Sequence, residues 1–198
     1  EHDIRKEIDK NIITTFGTLV DLKKLKKETK EVCKSLDRKK KKISFLIGGN
    51  GRSSKIMFSE LENTIKTLNS LSKKYEVIYC FSRRTSSYVK SMVKQKAIKK
   101  NHFFPQKKIN PYWLLINISE YIFVTADSVS MLSDSLSSGK KVYIVPIKKI
   151  KTKIKKFTQL ILDKRMAKIF NSSLENWKYK RLSETNKVCK KLSNTLNL

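Results

Sequence analysis

Four short groups of residues carry side chains or backbone suited to an anion and a sugar, and each follows an apolar, strand-forming run. The first is Gly48, Gly49, Asn50, Gly51 and Arg52, which holds three of the chain's five glycines within four positions. Glycine is costly unless the backbone needs positive φ or close approach to another group, and a phosphate or sugar is a common such group. The spacing is neither a dinucleotide fingerprint nor a Walker loop. The second group is Ser82, Arg83, Arg84 and Thr85; arginine is scarce here beside lysine, and two adjacent guanidinium forks suit a phosphate, although a surface ion-pairing role fits them equally. The third, Asn110 with Tyr112, offers a polar turn and a ring that stacks on a base or packs. The fourth runs from Thr125 through Asp127, Ser128, Val129, Ser130 and Met131 to Asp134. Either Asp127 or Ser128 can cap the helix predicted there, leaving free N–H groups and the positive end of its dipole for a phosphate, with Ser128, Ser130 and Ser133 nearby as neutral donors. Asp134, further along, can accept from two sugar hydroxyls. The same serines would also serve an ordinary crossover helix.

The elements that must position these groups follow from periodicity. Buried-type strands are predicted at 43–47, 76–81, 121–125 and 142–145, with a short one at 101–104 and another at 11–15. Helices are predicted over 18–36, 57–72, 86–98, 113–119, 128–138, 157–170 and 183–192. Gly139 sits where a helix end tolerates positive φ, and Pro111 where a first turn accepts proline. Alternation of strand and helix over 43–146 demands a mostly parallel, right-handed α/β sheet of Rossmann-like type. All four groups then lie at carboxyl ends of strands or just before a helix, the edge at which open α/β sheets bind ligands. The organisation reads as residues 1–42, a strand and helix entering from an upstream half; 43–150, an α/β domain carrying the anion- and sugar-binding edge; and 151–198, helices that complete or brace it.

Composition limits the partners. The 198 residues carry 45 Lys+Arg against 17 Asp+Glu, a formal charge of +28. Lysine dominates, with Ile, Asn and Ser abundant, the residue set an A/T-rich genome imposes; the charge is dispersed, with few interleaved aromatics, so sequence-specific nucleic-acid binding is not expected. Cys33, Cys80 and Cys189 are odd in number and widely separated, which fits a reducing cytoplasm and offers no disulfide framework. Neither His2 nor His102 has ligand-spaced neighbours, so no metal and no serine–histidine hydrolase is expected. No apolar run reaches the roughly 18 to 20 residues of a membrane span.

Several stretches together resemble the family named for the plant mitochondrial-fission factor Elongated Mitochondria, whose bacterial members are usually described as glycosyltransferase-like. They are LIGG (46–49), SRRT (82–85), NPY (110–112), VTADSVSM (124–131), SGKKVYIV (138–145) and the tail KFTQLILDKR…LENWKYKRLSET (156–185). Glu1-His2-Asp3 and residues 11–17 also resemble the passage between that family's halves. The resemblance implies a GT-B glycosyltransferase architecture, with this chain as the carboxyl-terminal, donor-binding half, binding a nucleotide-diphospho-sugar without a further cofactor, the acceptor being unspecified and no catalytic residue assignable. Residues 125–146 are similar to the donor loop of the glycosyltransferase that makes lipid II, and Asp134 falls where those enzymes place a ribose-binding glutamate. Aspartate is one methylene shorter. The plant factor is thought to recruit a dynamin-like protein, so the resemblance also admits a non-catalytic recruitment protein peripheral to an anionic membrane, with 148–156 as its basic patch; location would then be cytoplasmic, at the inner face of the membrane.

Overall fold

The runs KKISFLI, YEVIYCF and SEYIFVT lack the polar–apolar alternation of a sheet with one wet face, which is the pattern of strands covered on both sides. The computed structural model describes residues 12–21, 30–52, 54–105, 110–171 and 173–196. After helix α1 (Lys30–Ser35), those runs form β1 (Lys41–Ile47), β3 (Tyr75–Phe81) and β5 (Ser119–Thr125). Between β1 and β3 lie β2 (Ser54–Lys55), a 3-10 turn (Phe58–Glu60) and α2 (Glu62–Leu71); between β3 and β5 lie α3 (Ser87–Lys96), β4 (His102–Phe104) and α4 (Tyr112–Ile118). Then follow α5 (Val129–Ser137), β6 (Lys141–Val145), β7 (Lys149–Ile150), α6 (Thr152–Asp163), β8 (Lys168–Ile169) and α7 (Glu184–Leu196).

Six strands make one parallel sheet in the order β4-β3-β1-β5-β6-β8, while β2 and β7 pair as a small antiparallel clamp. Counting the strands of the large sheet alone, the order is 3-2-1-4-5-6, the doubly wound arrangement with its reversal between β1 and β5. The fold is therefore α/β and Rossmann-like, of the kind found in GT-B carboxyl-terminal domains.

Register places Phe103, Tyr79, Phe45, Phe123 and Tyr143 in one lateral row across five strands. Their ring centroids are 5.3, 6.0, 6.3 and 5.1 Å apart in that order. Such pairs each add about 0.5–1.5 kcal/mol beyond area burial, so this row stiffens the middle of the sheet. The other face is aliphatic: Leu46, Cys80, Val124 and Ile144 pack under α4, α5 and α6, with Leu115, Leu132 and Phe157 filling the layer. A sheet clamped on both faces leaves its loop-bearing edges as the places where ligands can reach backbone.

Four expectations are corrected. Residues 12–15 form no strand, because nothing among the described residues pairs with them; Asn11 lies outside the described residues. The helix predicted over 18–36 is helical at 30–35, residues 18–21 having no regular secondary structure and 22–29 lying outside the described set. The helix predicted over 157–170 begins at Thr152 and ends at Asp163, so 148–156 is part clamp, part helix; residues 168–169 instead add the sixth strand against β6. Proline 111 is the residue before the first turn of α4 rather than within it. Gly139 has φ +75°, as its position after α5 requires.

Candidate functional site

At the reversal the chain leaves β1 toward one side of the sheet and β5 toward the other, which opens a crevice above their carboxyl ends. The loop after β1 is fastened to the loop after β5. The Gly48 amide donates to Thr125 Oγ1 at 2.8 Å, the Thr125 hydroxyl donates to Asp127 Oδ1 at 2.6 Å, and the Gly49 amide donates to Asp127 Oδ2 at 3.0 Å. Asp127 is 3% exposed. Burial raises its carboxyl above the usual range, and the Thr125 hydroxyl, the Gly49 amide and the Arg84 charge oppose that shift. A Cβ on Gly48 would overlap the Asp127 carboxylate, and one on Gly49 would overlap the Arg84–Thr85 backbone. The close approach that these glycines permit is thus to the protein itself.

The loop after β3 closes the other side. The Asn50 amide donates to the Arg84 carbonyl at 3.0 Å, and the Thr85 hydroxyl lies 2.5 Å from the Gly48 carbonyl and 3.1 Å from that of Ile47. Ser82 Oγ accepts from the Arg84 amide at 3.0 Å, and Asn50 Oδ1 accepts from the Ile56 amide at 2.9 Å. Arg52, Arg83 and Arg84 are exposed, and the Arg84 guanidinium lies over Gly51, where a Cβ would come within 2.8 Å of Nη1. The glycine loop therefore carries the guanidinium at its rim while Asn50, Thr85 and Ser82 fix its backbone.

Two helices start at this edge. Ser86 caps α3, accepting from the Val89 amide at 3.3 Å, and Ser128 caps α5, accepting from the Met131 amide at 3.3 Å. Of the two candidate caps, Ser128 is the one used; Asp127 serves the glycine loop. Val129 and Ser130 occupy the first turn of α5, whose amides have no acceptor within the helix. Ser133 does not join them: it is fully buried, donates to the Val129 carbonyl at 2.8 Å and accepts from the Thr18 amide at 3.1 Å.

On the α4 side, Asn110 Oδ1 accepts from the Tyr112 amide at 3.2 Å, and the Tyr112 hydroxyl donates to Asp134 Oδ2 at 2.8 Å. Burial, and then the Asp134 charge, push the Tyr112 hydroxyl well up, so it stays a donor. The third and fourth groups are thereby joined, as the first and second are. Thr85, Asn50 and Asp127 acquire loop-fastening roles that sequence spacing could not reveal, and so does Glu60, which the sequence reading missed; it accepts from the Met57 and Lys148 amides at 2.8 and 2.6 Å and ties β2 to β7. Among the described residues no group of three or more His, Cys, Asp or Glu could hold a metal, and no helix is long and apolar enough to cross a membrane.

Residues 1–196 match the mitochondrial fission ELM1 family. An uncharacterized protein of Rickettsia prowazekii, RP120, is 33% identical over 203 residues, covering 95% of this chain and 56% of that protein. The mitochondrial fission protein ELM1 of Arabidopsis thaliana is 34% identical over 79 residues, covering 38% of this chain and 18% of the plant protein. The chain spans about half the length of the Rickettsia relative. Among solved structures, a protein assigned as a UDP-N-acetylglucosamine 2-epimerase from Listeria monocytogenes superposes with a TM-score of 0.51 at 8% identity, covering 87% of this chain and 40% of that one. A UDP-GlcNAc 2-epimerase from Neisseria meningitidis gives 0.49 at 11% identity, over 85% of this chain and 39% of the other. The chain belongs to the mitochondrial fission ELM1 family.

Proposed function

From that membership, we propose that the chain is the nucleotide-diphospho-sugar-binding half of a GT-B glycosyltransferase. The observation that carries the reading is the convergence, at the β1/β5 reversal, of two serine-capped helix N-termini, an exposed arginine pair and a Tyr112-held aspartate. In this reading the diphosphate lies against the first turns of α3 and α5, where the amides of Val129 and Ser130 and the guanidinium groups of Arg83 and Arg84 meet its charge. Asp134 accepts from the ribose, its second proton donor being Tyr112. The uracil or other base packs toward Asn110 and Tyr112, and Arg52 closes the rim. The Listeria neighbour is named for a nucleotide sugar, UDP-N-acetylglucosamine, which agrees with this reading.

The chemistry such a half performs is to hold the donor and stabilise the charge that grows on the departing diphosphate. Fixed dipoles and guanidinium groups aimed at that oxygen act without reorganising. Asp127 does not touch the donor; it is a positioning residue, holding the Gly48–Gly49 backbone so that Arg84 stays over Gly51. The acceptor and any general base belong to the other half in this reading. Isothermal titration of the protein against uridine, guanosine, adenosine and thymidine diphospho-sugars tests it. One nucleotide class should bind in preference to the rest at near-physiological salt, and equal, salt-suppressed heats for all would reject the site.

A further inference from the structure

In a parallel sheet every strand begins at the same edge, so residues that precede strands are gathered by topology even when the sequence disperses them. Here each of five strands is led in by a basic pair. Lys40–Lys41 opens β1, Lys73–Lys74 precedes β3, and Lys99–Lys100 precedes β4. Lys140–Lys141 opens β6, and Lys164–Arg165 lies just before β8, which begins at Lys168. The amino edge of the sheet, opposite the candidate crevice, therefore collects a row of cations.

Acidic partners answer part of the row. Lys41 pairs with Glu120 at 3.1 Å, Lys42 with Glu76 at 3.5 Å, Lys141 more loosely with Glu120 at 3.9 Å, and Lys168 with Glu175. Lys73, Lys74, Lys99 and Lys100 are exposed and make no ion pair among the described residues. A hollow of about 530 Å³ opens on the same edge, lined by Lys41, Lys140, Lys141 and Lys178 and by the Glu120 carboxylate with which Lys41 and Lys141 pair.

We infer that this edge docks on the surface of a bilayer bearing acidic lipid headgroups. Breadth and shape favour a plane over a duplex. Six strand starts at about 4.8 Å spacing make a front on the order of 25 Å wide, and apart from Arg165 the cations of its basic pairs are lysines on flexible stems rather than the guanidinium forks that read a nucleic-acid backbone. The rings at this edge are engaged internally: the Tyr179 hydroxyl donates to the Lys140 carbonyl at 2.7 Å, Tyr75 stacks edge-on to Tyr121, and Trp177 lies under Lys168. None is left as a platform for bases. Since β1 is 7 residues long, the crevice at its far end stands on the order of 20 Å from the headgroups and opens toward water. This inference stands apart from the nucleotide reading, because it uses the opposite edge.

The test is sedimentation of the protein with vesicles of phosphatidylcholine alone or with about a third phosphatidylserine, at low and near-physiological salt. The parent should bind the acidic vesicles and leave the neutral ones. Neutralising Lys73, Lys74, Lys99 and Lys100 together to Gln should cut the apparent affinity roughly 600-fold, at about fivefold per lysine near such a surface. Neutralising Lys148, Lys149, Lys155 and Lys156 to Gln, an equal loss of charge elsewhere, should leave it near the parent. Equal losses in both quadruple variants, no binding to acidic vesicles, or tighter binding to an RNA or DNA duplex at the same salt would each overturn the inference.

Discussion

Tyr112 Oη donates to Asp134 Oδ2 at 2.8 Å, so the start of α4 and the middle of α5 share one hydrogen bond across 22 positions of chain. The tyrosine helps to fix the direction of the carboxylate on the helix surface. Tyr112→Phe keeps the ring and deletes the donor. It should cost about 1 kcal/mol of stability in denaturant unfolding and weaken nucleoside binding a few-fold, without changing the preference between mono- and diphosphate. A Tyr112→Phe protein that binds nucleoside as well as the parent would remove Tyr112 from the site.

Asp134 and the arginines should separate by ligand. Asp134→Asn keeps a hydrogen-bonding group but loses the charged acceptor, and it should weaken nucleoside and nucleoside diphosphate alike by about 1–3 kcal/mol. Arg83→Ala and Arg84→Ala should weaken the diphosphate and leave the nucleoside nearly unaffected, since the lost partner is charge the nucleoside lacks. Dissociation constants of nucleoside, monophosphate and diphosphate for the three variants decide it.

The glycines should differ by what surrounds them. Gly49→Ala drives a methyl into the Arg84–Thr85 backbone and should cost about 3 kcal/mol or more, whereas Gly139→Ala meets only an ordinary contact with Arg181 Cβ at 3.8 Å and strains its positive φ, at about 1–2 kcal/mol. Thermal unfolding of the two variants checks the contrast; equal losses would mean that the glycine loop yields.

How much of this was legible in the sequence depends on range. The strands read at 43–47, 76–81, 121–125 and 142–145 announced themselves by branched and aromatic runs and each proved one or two residues longer at its start, and the gathering of four residue groups at one edge followed from strand–helix alternation. Local chemistry also narrowed the cap of α5 to Asp127 or Ser128 and anticipated the φ of Gly139. What could not be read are the ties that exist only because β1 lies beside β5. Asp127 looked like a cap because the amides of Gly48 and Gly49 are nearly 80 residues away in sequence. The sixth strand has two residues, too few to carry a period, and its neighbours Met166 and Phe170 continued the spacing of α6 past its end at Asp163.

Asp127 should also leave a signature in pH. Its folded carboxyl is raised from 3.8 by burial, so the folded state holds that proton more tightly than the unfolded chain. Its contribution to stability is then fully present below the unfolded value and is lost as pH rises through the folded one. Relative to Asp127→Asn, which cannot ionise, the parent should lose stability as pH rises from about 4 through the mildly acidic range. A parent that gains on the variant over that range would show the carboxylate to be favoured by its tethers rather than disfavoured by burial.

The central claim is that the crevice above β1 and β5 holds a nucleotide, and amide chemical shifts measured during titration with uridine diphosphate test it most directly. The salt should be near-physiological, because a chain of formal charge +28 attracts any polyanion when salt is low. Shifts confined to residues 48–52, 82–85, 110–112 and 128–134, with those near Tyr112 and Asp134 persisting for bare uridine, are what the account predicts. Shifts centred instead on the lysines that lead into the strands, or reproduced in full by inorganic diphosphate, would contradict it.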